Sequence, residues 1–171
     1  VFLFCLCGLL LSPQVCLLPL FMLLKALKLK NTLGAMILPY IAFRLPVSIM
    51  LIRSFFIGIS KEMEEAAILD GATLFQIYKE IYLPLSKPIM STVVIMTTYY
   101  AWNEFVFATI FVDSSKLRTI PVGLMAFSDG LMTEWGVVLA GMVIACLPIM
   151  ILFIAMQKNF VRGMMAGSVK G

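Results

Sequence analysis

Four apolar runs, at about 1–24, 33–57, 88–111 and 136–156, leave this chain no aqueous fold to adopt. At about 1.5 Å per helical residue, a run of twenty to twenty-five residues covers roughly 30–37 Å, enough to cross a hydrocarbon layer about 30 Å thick. Of the 171 residues, 62% are hydrophobic and 13% are charged. A soluble domain holds roughly 45–50% apolar and about 25% charged residues. The apolar excess is too large for one small core, so the solvent for these runs must be lipid. Only helices or closed barrels satisfy their backbone groups there, and continuous runs without strict alternation favour helices. The expected fold is all-α, a polytopic transmembrane helical bundle forming one domain over residues 1–171.

Composition also excludes whole classes of chemistry. The chain has no His, which removes the commonest metal ligand and general base. Cys5, Cys7, Cys16 and Cys146 all sit inside apolar runs, and Cys5 and Cys7 point to opposite sides of a helix. They read as buried thiols acting as small hydrophobes, so no metal site and no catalytic residue is expected. A net charge of +4 with scattered basic residues offers no nucleic-acid footprint. Val1 already lies within an apolar run, with no basic leader or cleavage site around it. The chain therefore reads as the C-terminal part of a longer protein.

Between the apolar runs lie a short turn (25–32), a long polar loop (59–87), a second loop (112–135) and a tail (157–171). Helices that alternate in direction put the long loop and the tail on one side. That side carries seven Lys and Arg against five opposite, with Arg44 left inside a span. The positive-inside tendency thus points the long loop weakly towards the cytoplasm, and the three lysines of the short turn pull the other way.

The long loop reads as two short helices joined at a glycine. Ser60 is a suitable N-cap, and Glu62, Glu64 and Glu65 place carboxylates near the positive helix end. Met63, Ala66 and Ala67 form a narrow apolar face, and Asp70-Gly71 stops the helix. Thr73 and Gln76 have capping-box spacing, Leu74, Ile77, Tyr78 and Ile81 share a face, and the second helix is expected to end before Pro84. Small residues at 66 and 67 suggest close approach by another surface. An amphipathic helix lying on the membrane is the plain alternative, but five carboxylates against three lysines suit anionic lipid poorly.

The fixed spacing here is Glu65-Ala66-Ala67, three residues, Gly71, nine residues, then Ile81-Tyr82-Leu83-Pro84. It resembles the loop by which the permease of an ABC importer docks on its ATPase. Leu38-Pro39-Tyr40, Trp102-Asn103-Glu104, Ile120-Pro121-Val122-Gly123, Glu134-Trp135-Gly136 and the ending Gly167-Ser168-Val169-Lys170-Gly171 are similar to the carbohydrate-uptake branch, notably the second permease of the maltose type. Asn159, Met165 and Ser168 depart from the usual ending. The resemblance implies a type I permease fold of six spans, four of them present here. It implies a multi-pass subunit in a bacterial or archaeal plasma membrane, working with a second permease, a homodimeric ATPase and an extracytoplasmic solute-binding protein. Glu65, Ala66, Ala67, Gly71, Ile81, Leu83 and Pro84 would couple to the ATPase, and Gly167, Val169, Lys170 and Gly171 would couple through the tail. The chain carries no phosphate-binding loop, so ATP and magnesium would belong to the partner ATPase, with no cofactor on this chain and no enzyme activity of its own.

Pro13-Gln14, Arg44-Leu45-Pro46 and Leu147-Pro148 all fall roughly 16–18 Å from the outer ends of their runs. Prolines free carbonyls and kink helices, and broken helices near mid-membrane often build transport sites; ordinary kinks satisfied by neighbouring helices are the alternative. Arg44 at mid-span costs roughly 2.5–3.5 kcal/mol, so it needs a cavity or a partner. Arg44 and Glu104 could pair across a pathway, with Gln14 and Asn103 bonding sugar hydroxyls. Equally, Glu104 could reach outwards while Arg44 pairs within the bundle. A membrane-embedded enzyme lacks a nucleophile and base here, and an ion-coupled carrier or channel leaves the Glu65 spacing unexplained. Importers of amino acids, peptides or phosphate remain compatible with the loop alone.

Overall fold

The computed structural model describes residues 7–129 and 132–168, with side chains described up to residue 128 and from 133 to 157. Among the described residues the fold is all-α apart from two antiparallel strands of two residues each, in which Ser128 pairs with Thr133. Two compact units form, one from Val1–Val47 and Thr97–Leu152, the other from Ser48–Met96 and Phe153–Gly171.

Two helices among the described residues are long and apolar enough to cross a membrane, Gly34–Ile57 and Trp135–Gln157. The first of these helices is α2, spanning Gly34–Ile57, and it contains both Pro39 and Pro46. The second belongs to α7, which runs over Trp135–Ser168 with Pro148 inside it. Their boundaries follow the hydropathy closely. On α7, Val143, Ile144 and Ile151 are each about two-thirds exposed, as suits a surface meeting lipid or another apolar helix rather than water.

The other two apolar runs are interrupted. Helical residues 7–9 give way to turns around Pro13, and the helix resumes as α1, Leu17–Ala26. In the run over 88–111, α4 spans Lys87–Asn103, stops, and restarts as α5, Val106–Phe111. The short α5 is the centre of the first unit. Phe107, Ala108 and Phe111 are almost completely buried, and Leu24, Ala35, Met36, Val112 and Val122 close around them. Phe107 stacks on Phe111 at 5.3 Å, with Phe43 at 5.7 Å and Tyr40 at 6.3 Å completing an aromatic cluster.

Helix α1 ends in a Schellman turn: Leu29 N–H reaches Leu24 O at 2.9 Å and Lys28 N–H reaches Lys25 O at 3.1 Å. The left-handed position this turn requires is held by Lys28, with φ of 56°, where glycine is usual. Asn31, at φ 62°, fastens the turn to the far end of α5. Its N–H donates to Phe111 O at 2.9 Å. Its Oδ1 accepts from Asp113 N–H at 3.1 Å and Ser114 N–H at 2.8 Å. Lys30 adds an ion pair to Asp113 at 2.9 Å. Beyond this clamp lies α6, Ile120–Leu124.

Candidate functional site: a helical loop and a polar cluster in the apolar runs

In the second unit, the polar loop folds as a helix, a glycine turn and a second helical segment. The first helix is α3, Lys61–Leu69, and Ser60 Oγ caps it by accepting Glu62 N–H at 3.2 Å. A Schellman turn closes it, with Ala72 N–H on Ala67 O at 2.9 Å and Gly71 N–H on Ile68 O at 3.0 Å. Gly71 carries φ of 81°, a conformation that a side chain would strain, which is why glycine stands there. Thr73 and Gln76 form the reciprocal capping box that starts the next segment.

That segment does not stop before Pro84. It runs through Leu74–Gln76, a π-helical stretch over Ile77–Tyr82 and a last α turn over Leu83–Leu85, reaching α4 after Ser86. Within it, Leu83 N–H bonds Tyr78 O, five residues back. Proline cannot donate to the carbonyl four residues before it and its ring crowds that carbonyl. Widening the preceding turn to i→i−5 spacing relieves both problems and lets the helix continue. π stretches of this kind are rare and cluster at functional sites.

Glu65 and Ala66 are exposed, Ala67 and Ile81 half-buried, and Leu83 and Pro84 exposed. Of the face expected on the second segment only Ile77 is buried, while Leu74 and Tyr78 face outwards. Three large apolar side chains crowd the glycine turn in the open: Leu69 is 88% exposed, Leu74 76% and Phe75 70%. Behind them Tyr82 donates its hydroxyl proton to Glu64 Oε2 at 2.7 Å and meets the Phe56 ring edge-on at 5.7 Å. The bond to the Glu64 carboxylate, with some desolvation, raises the Tyr82 phenol above its ordinary range.

The first unit holds the polar residues of the apolar runs. Glu104 is buried, and its carboxylate takes three donors: Phe107 N–H on Oε1 at 2.7 Å, Ala108 N–H on Oε2 at 3.1 Å, and Tyr40 OH on Oε2 at 2.7 Å. Tyr40 meets the Tyr100 ring edge-on at 6.0 Å, and the Arg44 guanidinium lies 4.9 Å from the centre of that same ring. Arg44 and Glu104 therefore border one aromatic pair. Asn103 is exposed, donating from Nδ2 to Tyr99 O at 2.8 Å. Gln14 is also exposed, in the interrupted first run, where Ser12 Oγ donates to its Oε1. Tyr40 and Tyr100 were not singled out by sequence as neighbours of Glu104 and Arg44; the rule that a buried carboxylate needs donors was the available signal.

Asn103 also lines a cavity of about 720 Å³, together with Tyr99, Trp102, Trp135, Met142 and Cys146 among others. Trp102 Nε1–H donates to Ala145 O at 2.9 Å, beside the stretch where Pro148 deprives α7 of a donor. Among the described residues no group of three or more Cys, Asp or Glu gathers to hold a metal. In the tail, Gly167 falls in the last turn of α7, while Val169, Lys170 and Gly171 lie outside the described residues.

Known proteins with this sequence pattern are transport subunits. A "probable ABC transporter permease protein" YurM of Bacillus subtilis is 58% identical over 167 residues, covering 98% of this chain and 56% of that protein. The trehalose/maltose transport system permease protein MalG of Thermococcus litoralis is 38% identical, covering 96% and 60%. The arabinooligosaccharides transport system permease protein AraQ of B. subtilis is 33% identical, covering 92% and 56%. The chain thus spans less than two-thirds of the length of these relatives. Residues 1–166 match the family described as the inner membrane component of binding-protein-dependent transport systems. The chain belongs to that family of membrane permeases.

Proposed function

We propose that this chain is part of the transmembrane permease subunit of an ATP-driven, binding-protein-dependent importer for sugars. It would span the plasma membrane of a bacterium or archaeon several times as one transmembrane domain. The observation that carries this reading is the loop around Gly71. A hydrogen-bonded glycine turn presents Leu69, Leu74 and Phe75 to solvent beside exposed Glu65. Apolar side chains displayed around a capped, hydrogen-bonded polar scaffold suit a macromolecular partner. The partner is a homodimeric ATPase that supplies ATP and magnesium; this chain hydrolyses nothing. Closure of the ATPase pulls α3 and the π segment, and through them α4, so that the spans alternate between inward- and outward-open states. A second permease completes the pathway, a loaded binding protein delivers sugar outside, and the tail from Gly167 to Gly171 adds to the ATPase contact. By linkage, loaded binding protein and ATP must favour the same state.

Sugar as the solute rests on the relatives named for trehalose/maltose and arabinooligosaccharides. Within the membrane, Gln14 and Asn103 offer amide groups to sugar hydroxyls, and Arg44 and Glu104 shape the path beside the Tyr40–Tyr100 pair. The test is affinity purification of the tagged full-length permease from its own cells. An ATPase subunit should come down with the native protein and be lost with Leu74→Glu and Phe75→Glu together. Purification without any ATPase would refute the proposal.

A further inference from the structure

The interruption between α4 and α5 has no covalent cause. Between Pro88 and Pro121 the chain contains neither proline nor glycine, the two residues that ordinarily break a helix. A break inside an apolar run is costly, because the freed N–H and C=O groups cannot turn to water. Something must supply partners, and Glu104 does. In an unbroken helix Phe107 N–H would go to Asn103 O and Ala108 N–H to Glu104 O. Both go instead to the Glu104 carboxylate, at 2.7 and 3.1 Å. Tyr40, from α2, donates to the same carboxylate at 2.7 Å and fixes its position. Phe105 takes up the change of direction with φ of −124° and ψ of −40°.

We infer that Glu104 is a positioning residue, not a sugar ligand: with Tyr40 it holds the third span broken so that α4 ends at Asn103. Its oxygens are already engaged by three donors, which leaves little capacity for a solute. What the break opens is the C-terminus of α4, whose last carbonyls have lost their helical donors, next to Trp102 and Asn103 at the cavity. Asn103 is thereby the last residue of α4, exposed at that open end rather than followed by further helix. The inference extends the pathway reading of Asn103, but its test needs neither ATP nor solute, so its failure is separable from failure of the importer reading.

The experiment uses full-length permease assembled with its partners in membranes, with Cys5, Cys7, Cys16 and Cys146 replaced by alanine and Asn103→Cys introduced. Labelling by a small charged thiosulfonate reagent is followed in time. Asn103→Cys should react readily, and Glu104→Ala should slow it about tenfold, the factor that about 1.4 kcal/mol of lost hydrogen bonding produces. Tyr40→Phe, which removes one donor, and Glu104→Gln, which leaves one acceptor oxygen in place of two, should give intermediate rates and serve if Glu104→Ala fails to assemble. Equal labelling across these backgrounds, or an unreactive Asn103→Cys with Glu104 intact, overturns the proposal.

Discussion

Leu124 of α6 occupies the space above Gly141 of α7: a Cβ at position 141 would collide with Leu124 Cδ2. The absence of a side chain at 141 is what lets α6 lie on α7. Two effects oppose each other when a methyl group is added. Glycine to alanine inside a helix gains roughly 1 kcal/mol. Overpacking costs about 1–3 kcal/mol, part of which a leucine tip can relieve by moving.

Gly141→Ala should therefore be close to neutral, and Gly141→Val should destabilise by about 1–3 kcal/mol. Combining Gly141→Ala with Leu124→Ala should restore more stability than Leu124→Ala leaves alone. Thermal unfolding of the purified permease complex checks the ranking. Strict additivity of the two changes would show that the residues do not touch.

Asn31 bridges its turn to residues more than eighty positions away, through Asp113 and Ser114. Asn31→Ala should destabilise by about 1–3 kcal/mol, from two N–H groups that lose their acceptor and a left-handed backbone that alanine tolerates less well. Lys28→Gly should act in the opposite sense, stabilising by about 1 kcal/mol, because glycine suits the left-handed position of a Schellman turn. Opposite shifts in unfolding temperature are the expected result.

The Tyr82–Glu64 bond depends on the phenol keeping its proton. The carboxylate acceptor raises the folded-state value above that of an ordinary phenol. The bond's contribution is therefore complete below the ordinary phenol range and is lost as pH rises through the raised value. Glu64→Gln should bring the titration of Tyr82 down towards its ordinary position, read as tyrosinate absorbance against a Tyr82→Phe control. A titration that Glu64→Gln leaves unmoved contradicts the pairing.

The elements most legible in the sequence were those governed by local rules. The boundaries of α2 and of the apolar part of α7 follow hydropathy alone. The loop follows from Ser60, Gly71 and the Thr73–Gln76 box, whose capping interactions span a few residues. What stayed hidden depends on partners far along the chain or on geometry that runs against composition. No local pattern marks a helix stop at Glu104, because its fixing donor, Tyr40, lies sixty-four residues earlier. Lysine at a left-handed position carries no turn signal of its own. Pro84 read as an end because the π stretch that accommodates it has no distinctive composition.

The proposed grip of a separate ATPase on the turn around Gly71 carries the mechanism. Its most direct test is site-specific cross-linking in membranes holding the whole transporter, with Glu65→Cys paired against cysteines on the ATPase surface. A cross-linked product of permease and ATPase is expected, with a yield that changes when ATP is added and with formation lost in Gly71→Val. Failure to form any such product, or labelling of the Glu65→Cys thiol only from outside the cell, would contradict it.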